Sequence, residues 1–310
     1  MRLGFSIRIY GRSDLPSHGE YRGEHGSDLG MNLAYLRDIL YYLRDNAIHM
    51  YRLHSGLVPC VADPARSILE EQIKDYALEL ETVGDLARRS DVRLSFHPYS
   101  VVVLNGLNED QVLRSVAHLE AQATMFEAMG LGPEAVIVLH VGGVYDNPLA
   151  SRERFIRRYE ALPEAIRRRL VLENDDHRFS HADVRAIHRA CGIPLVFDAL
   201  HHLVHNPEGV PMREALEYAT STWPAKVVPK VHFSSPRTEM RTLEGSSRIK
   251  VPTWTEHSDF VNPFDFMAFM SLAAGMIFDV MLESKARDLA LLKLREDLSR
   301  FSPDLARQIG

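Results

Sequence analysis

A carboxylate and two imidazoles follow one short apolar segment in the second half of the chain. Residues 195–197 are apolar throughout, and Asp198, His201 and His202 come directly after them. Such a run is typical of a strand that is buried on both faces of a parallel sheet. Barrels and open parallel sheets bind their ligands at the carboxyl ends of such strands. Asp198 and His201 are therefore candidate metal ligands. The alternative is that Asp198 caps a following helix and that both histidines are solvated.

A carboxylate or an imidazole also stands at the carboxyl end of five other predicted strands. The residues that close these strands, or begin the loops just after them, are His97, His140, Glu173, His232 and Glu283. One histidine at a strand end is usually structural, but six consecutive strands with such an ending are hard to obtain by chance. Carboxylates and imidazoles that converge without cations would repel one another and lose solvation. The sequence therefore predicts a polynuclear metal site.

The kinds of ligand restrict the metal. Imidazole and carboxylate without thiolate suit zinc, manganese or iron rather than calcium or a structural zinc site. Because one ion takes about four to six ligands, seven or eight candidates indicate two or three ions. Such clusters are typical of phosphoester hydrolysis, in which the ions activate water and stabilise charge on the phosphate and the leaving oxygen.

Lys230 stands two residues before His232 and on the same face of its strand. Three roles are open to it: an ion pair with a carboxylate, stabilisation of transition-state charge, or carboxylation followed by bridging of two ions.

Strand and helix patterns alternate along the chain. The predicted strands are residues 3–9, 48–53, 92–96, 135–139, 170–172, 195–197, 226–231 and 275–282. The predicted helices are residues 32–43, 65–89, 110–129, 151–169 with an interruption near Pro163, 180–190, 212–220, 263–274 and 283–298. Asn32 is the expected N-cap of the first helix, and Asp63-Pro64 opens the second. Eight such units predict a single (β/α)8 barrel domain over residues 1–310, with a doubly wound open sheet as the alternative.

Composition and charge are those of a globular protein with a sizeable core. Hydrophobic residues make up 45% of the chain and charged residues 25%. The formal charge of −6 argues against non-specific binding of nucleic acid, but it allows a nuclease, because bound cations would offset a carboxylate-lined site. Cys60 and Cys191 match no metal or redox spacing. We expect a cytoplasmic protein without membrane association, because no signal peptide or membrane-spanning segment is evident.

Nine motifs resemble the UV damage endonucleases, which are close in fold to endonuclease IV and the xylose isomerase-like barrels. The motifs are LGF at 3–5, YRLHSGLVP at 51–59, LSFHP at 94–98, LHVGG at 139–143, LENDD at 172–176, FDALHH at 197–202, KVHFSS at 230–235, HSD at 257–259 and MLESK at 281–285. Together they extend through almost the whole chain.

The resemblance implies metal-dependent incision of double-stranded DNA immediately 5′ of UV photoproducts, with abasic sites as a further lesion class to test. It implies two or three divalent ions, manganese first and zinc or cobalt as alternatives, and we expect the protein to act as a monomer. The ligand set that it implies is His97, His140, Glu173, Asp198, His201, His232, His257 and Glu283. Lys230 matches a lysine that the family carries in a modified, metal-bridging form. Lys230, Glu173 and Glu283 are the expected catalytic residues.

Five residues are candidates for contact with DNA or for probing the lesion: Phe5, Arg52, Tyr99, Ser100 and Asn174. Phe5 stands where the family usually has a tyrosine, and Tyr99-Ser100 stands where it carries a Gln-Tyr pair. Tyr99 would either wedge into the opened duplex or pack against the barrel rim.

The insertion between Ser235 and His257 is a third departure from the family. Its cations are Arg237, Arg241, Arg248 and Lys250, and they exceed the local carboxylates by one. They would either contact phosphates or form a solvated face.

Two other functions remain open from the sequence. A sugar isomerase or epimerase on the same fold would also use strand-end ligands, with a small closed pocket and usually fewer ions. A damage-binding protein without catalysis would keep DNA affinity and produce no nick.

Overall fold

The computed structural model of the chain describes residues 1–18, 28–58, 65–145, 147–242 and 245–309. Its strands are β1 Leu3–Ser6, β2 Met50–Arg52, β3 Arg93–Phe96, β4 Val136–His140, β5 Leu170–Glu173, β6 Leu195–Asp198, β7 Lys230–Phe233, β8 Arg241–Thr242, β9 Ile249–Lys250 and β10 Asp279–Leu282. Its helices are α1 Leu29–Asp45, α2 Ala65–Asp75, α3 Ala77–Arg89, α4 Glu109–Ala128, α5 Pro148–Glu160, α6 Glu164–Arg167, α7 His181–Cys191, α8 Ala199–Val204, α9 Met212–Ser221, α10 Pro263–Leu272, α11 Arg287–Phe301 and α12 Pro303–Ala306.

Eight of these strands close into a barrel in the order β1-β10-β7-β6-β5-β4-β3-β2. Every neighbouring pair in the barrel is parallel, including the pair of β1 and β10 that closes it. The strands β8 and β9 form a separate antiparallel hairpin. The predicted (β/α)8 barrel is therefore confirmed, and the open sheet is excluded.

The two faces of each barrel strand carry different side chains, because successive residues point to opposite sides. One buried cluster consists of Val136, Val138, Val171, Val196, Trp223 and Val227. Two residues beyond Val138 stands His140, and two residues beyond Val171 stands Glu173. The polar strand ends therefore share the inward face with a layer of valines. The opposite face carries larger residues such as Leu172 and Phe197, which belong to the main core with the surrounding helices.

Three strands begin or end three or four residues inside their predicted bounds, each for a local reason. β1 ends at Ser6 because Ile7 has a φ of 70°, which is outside the extended region. β7 begins only at Lys230, because Val227 donates to the carbonyl of Pro224 in a turn. β10 begins only at Asp279, after a turn in which Gly275 has a φ of 88°.

The first helix begins earlier than predicted, and the proposed cap is wrong. Asp28 is the N-cap of α1, and its side chain accepts from the backbone N–H of Gly30. Asn32 is fully buried inside the helix, and its side-chain amide donates to the carbonyl of Leu57 over 2.9 Å. Its polar side chain thus secures the turn after β2 instead of capping a helix.

The helix predicted over 65–89 and the last predicted helix also have different boundaries. The predicted helix 65–89 is divided into α2 and α3 at Tyr76, and Asp63 and Pro64 lie outside the described residues. The last predicted helix corresponds to α11, which begins only at Arg287. Glu283 therefore lies just beyond β10 and outside any helix. Among the described helices, none is both long and apolar enough to cross a membrane.

Candidate metal centre

The predicted ligands from successive strands stand at one end of the barrel. In the sheet register His140 pairs with Glu173, and Asp198 pairs with His232. Neighbouring strand ends are therefore level with one another, and alternate residues share the inward face. His97 follows directly on β3 at the same end. The structure thus brings these side chains to a common mouth at the carboxyl ends of the strands.

Glu173 is the centre of this group. On one side its Oε2 lies 3.1 Å from Nε2 of His97 and 3.7 Å from Nε2 of His140. On the other side its Oε1 lies 2.9 Å from Nδ1 of His232 and 3.5 Å from Nδ1 of His201. One fully buried carboxylate is therefore surrounded by four imidazoles from four different strand ends.

Glu283 forms a second carboxylate position beside the first. Its Oε1 accepts from the guanidinium of Arg52 and lies 3.3 Å from Nδ1 of His232. Its Oε2 lies 3.6 Å from Nε2 of His257. Ser234 holds the other nitrogen of His257 at 2.6 Å. The loop histidine implied by the family resemblance thus reaches the mouth.

Asp198 has the capping role that the sequence left as the alternative to metal binding. Its Oδ1 caps α8 by accepting from the backbone N–H of His201 over 2.7 Å, so the capping interpretation is correct. His201 and His202 are both buried, so the expectation that they are solvated is wrong. The Oδ2 of Asp198 remains available to the mouth. A helix cap orients this carboxylate and leaves one oxygen for another partner.

The residues at the mouth fit divalent cations. Asp198 Oδ2, His232 Nε2 and His140 Nδ1 are buried and have no hydrogen-bond partner among the described residues. Buried polar atoms are nearly always bonded, so such atoms indicate a missing partner. Within the described ranges, two groups at the mouth offer ligand atoms within 4.8 Å of one another: His97, His140 and Glu173, and Glu173, Asp198, His232 and Glu283. Nitrogen and oxygen donors without sulfur suit zinc or manganese.

Charge coupling between these groups is strong. Burial alone would raise the pKa of Glu173, but the imidazoles of His232 and His140 lower it more, and the pKa lies well below its usual range. Burial likewise opposes ionisation of Glu283, yet Arg52 and His232 hold the pKa of that carboxyl well below normal. Burial lowers the pKa of the His97 imidazole, which favours the neutral form that binds metals. Glu173 and Glu283 are thus ionised.

Lys230 is buried inside the barrel beneath the mouth. Its Nζ donates to Oγ of Ser95 over 2.8 Å, and it makes no ion pair within 4.0 Å in the part of the chain that the structure describes. Burial and the nearby cations Arg52 and Arg93 lower the pKa of the amine well below its usual value. The ion-pair alternative for Lys230 is therefore wrong.

Two of the five DNA-contact predictions are wrong, because the side chains are fully buried. Phe5 packs edge-to-face on Tyr51, with the ring centroids 5.3 Å apart. Asn174 exchanges two hydrogen bonds with the backbone of Asp198, at 3.0 and 3.1 Å, and so fixes the carboxyl ends of β5 and β6 together. Arg52 is also buried, and it is bonded to Glu283. Its visible role is to orient and neutralise that carboxylate.

Tyr99 and Ser100 are exposed on the rim, as DNA contacts would need to be. The hydroxyl of Tyr99 lies 3.4 Å from Nε2 of His54, whose ring stacks on His18 with centroids 3.6 Å apart. Gly56 donates its backbone N–H to Nδ1 of His54. In the neutral ring Nε2 therefore carries the proton and can donate to Tyr99. Burial, His18 and Arg8 lower the pKa of His54 to about 4, so the ring is neutral at pH 7.

His54 and His18 are residues whose role the sequence did not reveal. His54 lies inside a family motif without an assigned function, and His18 is far from it in sequence. Only the folded chain brings the two rings together under Tyr99. The sequence did contain one signal for His54: it directly follows the predicted strand 48–53, at the same end of the barrel as the predicted ligands.

The chain has relatives that match most of its length. The sequence profile of the UV-endonuclease UvdE family matches residues 23–306. A UV DNA damage endonuclease of Bacillus mycoides (strain KBAB4) is 32% identical over 269 residues, which cover 86% of this chain and 81% of the relative. One from Bacillus velezensis (strain DSM 23117 / BGSC 10A6 / LMG 26770 / FZB42) is 30% identical over 294 residues, 94% of this chain and 87% of the relative.

Solved structures agree with this relationship. The crystal structure of SacUVDE superposes with a TM-score of 0.80 at 28% identity and covers 97% of this chain and 98% of its own. A D-psicose 3-epimerase from Clostridium cellulolyticum H10 reaches a TM-score of 0.55 at 10% identity, over 99% of this chain and 94% of its own, which shows a shared fold alone. The chain belongs to the UV-endonuclease UvdE family.

Proposed function

We propose that the chain is a metal-dependent DNA repair endonuclease that hydrolyses the phosphodiester immediately 5′ of UV photoproducts in duplex DNA. The observation that carries this proposal is the grouping of three carboxylates and five imidazoles at one barrel mouth, in a chain of the UvdE family. Barrel enzymes keep their chemistry at this end.

We propose that two or three divalent ions, manganese first, bind at this mouth. His97, His140 and Glu173 would hold one ion, and Glu173, Asp198, His232 and Glu283 a second. His201 and His257 lie beside these groups and would complete the ligand set. Bound divalent ions supply activation of water at neutral pH and stabilisation of charge on the phosphate and the leaving oxygen.

Two neighbouring residues orient the predicted ligands. Arg52 keeps Glu283 ionised and fixes one of its oxygens, and Asn174 holds the backbone of Asp198 in place. We also propose that Lys230 is carboxylated. The support is its burial beneath the mouth with Ser95 as its hydrogen-bond partner, together with the family lysine that it matches. Addition of dissolved CO2 to the neutral amine would form an N–C bond and release one amine proton to solvent, and the resulting carbamate would add a further anionic oxygen ligand.

A small cavity adjoins the predicted ligands beside Tyr99. It has a volume of about 190 Å³ and is lined by His97, Tyr99, His140 and the segment 175–178, among other residues. Enzymes that act at damaged bases commonly draw nucleotides out of the stack. The cavity supports contact with part of a distorted lesion beside the point of cleavage.

Incision of a lesion-containing duplex, mapped at single-nucleotide resolution, tests this function. We expect one nick immediately 5′ of the photoproduct with manganese, loss of the nick with a chelator, and recovery when manganese is added back. An undamaged duplex of the same sequence is the control. Damage binding without a nick under any divalent metal would contradict the proposal and favour a binding protein. Turnover of a ketohexose without any nick would favour an epimerase.

A further inference from the structure

The insertion between β7 and the ligand His257 folds into an arm whose base is fixed beside the mouth. Pro236 and His257 form a β-bridge at that base, and the backbone N–H of Arg237 donates to the carbonyl of Glu256 over 2.8 Å. β8 and β9 extend from this base as a short antiparallel hairpin. The arm is therefore tied to the same loop that delivers His257 to Glu283.

Most cations of this arm are already paired with carboxylates. The Arg237 guanidinium is buried against Glu256. Lys250 Nζ lies 2.6 Å from the same carboxylate, and Arg241 pairs with Asp259. A phosphate contact would have to displace these partners. The expectation that this insertion is a general phosphate-binding loop is therefore not supported for these three cations.

The arm instead presents large apolar side chains to solvent. Met240, Ile249, Val251 and Trp254 are all more than half exposed, and Trp254 has 63% of its surface accessible. Tryptophan is usually well buried, because it offers more apolar surface than almost any other residue. Several large apolar side chains exposed on one short arm indicate a surface that another molecule covers.

The position of Trp254 indicates which molecule covers it. Trp254 stands three positions before His257, so their Cα atoms are at most about 11 Å apart. His257 Nε2 in turn lies 3.6 Å from a carboxylate oxygen of Glu283. A duplex whose phosphate enters the mouth has a major groove about 12 Å wide next to that phosphate. Such a duplex would lie across Trp254.

Other rim loops expose aromatic side chains as well. Tyr10 follows β1, Tyr99 follows β3 and Tyr145 follows β4, and each is at least 40% exposed. With Trp254 they form a set of rings on several sides of the mouth. Aromatic rings stack on bases without regard to sequence, as binding of a lesion in any context requires.

We propose that Trp254 contacts the substrate duplex by stacking on a base or a deoxyribose next to the incised strand, and that the arm binds DNA through apolar rather than ionic contacts. This inference rests on the proposed function, because it takes duplex DNA as the occupant of the mouth.

Tryptophan fluorescence tests this contact directly. The chain has two tryptophans, and Trp223 is buried at the barrel interior with its Nε1 donating to the carbonyl of Leu195. In a Trp223→Phe variant the emission reports Trp254 alone. We expect damaged duplex to quench or shift this emission within the mixing time and before incision, with saturation at the concentration where DNA anisotropy saturates. An unchanged emission at saturating DNA would overturn the proposal.

Measurement of duplex binding by substituted chains is the second test. Trp254→Ala should weaken duplex binding about 5- to 100-fold, while Trp254→Phe retains most of the affinity. The salt dependence of binding should stay the same, because each lost phosphate contact would lower its slope by about 0.9. Tyr41→Ala, which removes an exposed ring on α1, is the matched control and should bind as the wild type does.

The possible failures are distinguishable. If the wild-type chain incises damaged DNA and Trp254→Ala binds it equally well, only this inference is overturned. If the wild-type chain neither binds nor incises duplex DNA, the proposed function fails and this inference fails with it. If sedimentation shows self-association that Trp254→Ala abolishes while DNA binding is unchanged, the arm docks a second copy and the inference is overturned.

Discussion

Both ends of the barrel contain buried charged side chains, but the partners of those side chains differ between the two ends. At the amino end of the strands, Asp279 accepts from the guanidinium of Arg93 at 3.0 Å and from the backbone N–H of Arg2 at 2.9 Å. Arg93 also donates to the carbonyls of Glu134 and Val228. The protein thus supplies its own partners for the buried carboxylate at this end.

At the carboxyl end, the buried carboxylates mostly face imidazoles rather than guanidinium groups. Three buried carboxylates meet five imidazoles there, and the ion pair between Arg52 and Glu283 involves the only guanidinium within 4.0 Å of these carboxylates among the described residues. Buried atoms of Asp198 and His232 remain without a hydrogen-bond partner in the described ranges. Ion pairs made within the chain stabilise a fold, whereas unmatched donors and acceptors at a barrel mouth are available for ligands. The amino end thus neutralises its buried carboxylate within the chain, and the carboxyl end is the one at which we propose metal binding.

The sharpest test of this difference is removal of a mouth ligand. Glu283→Ala or His232→Ala should lower the incision rate at least about 10²–10³-fold, because each change removes a predicted metal ligand. Duplex binding, measured by anisotropy, should change much less. Normal incision by both variants would show that the mouth is not the catalytic centre.

Removal of a charge at the amino end should give the converse result. Asp279→Ala leaves Arg93 buried without its partner and should lower the free energy of unfolding by about 3–5 kcal/mol. Urea denaturation measures this loss. Incision per folded molecule should stay at the wild-type level. A variant of normal stability that has lost incision would break the distinction between the two ends.

Substitution of Tyr99 tests whether damage recognition involves the rim as well as the mouth. Tyr99→Ala should reduce the preference for damaged over undamaged duplex about 5- to 100-fold if the ring stacks on an opened base pair. Tyr99→Phe keeps the ring and should keep most of the preference. Competition between labelled damaged and unlabelled undamaged duplexes provides the measurement. Equal selectivity in all three proteins would mean that Tyr99 only packs against the rim.

His54 should have a smaller effect through Tyr99. Its ring lies edge-on to Tyr99 with centroids 5.8 Å apart, and such a contact contributes about 0.5–1.5 kcal/mol. His54→Ala should therefore lower damage selectivity about two- to tenfold. In a Tyr99→Ala background the same change should have no further effect, because the ring that His54 supports is gone. An undiminished effect in that background would assign His54 a separate role.

The sequence was sufficient to predict the strand-end residues at the mouth because two simple rules act on them, whereas His257 followed only from the family resemblance. Parallel strands that close a barrel direct all their carboxyl ends to one side, and the period of two keeps Val171 and Glu173 on the same inward face. The same period could have corrected one error. Phe5 stands between Gly4 and Ser6, and its side chain faces the helices when theirs face the barrel interior.

Other features depend on contacts that no local pattern encodes. Asn174 is a predicted DNA contact, but its side-chain amide is hydrogen-bonded to the backbone of the next strand. The pairing of His18 with His54, and the burial of Arg237 against Glu256, require segments to meet after long loops have folded. Strand ends at Ile7 and Gly275 are set by positive φ angles, which residue type alone does not determine.

Anomalous diffraction from crystals grown with manganese most directly tests the claim that the mouth, and not the amino end, binds metal ions. Data collected at the manganese edge should show two or three peaks among His97, His140, Glu173, Asp198, His201, His232, His257 and Glu283, and none beside Asp279. Peaks at the amino end, or a mouth without any peak under conditions that support incision, would contradict the account.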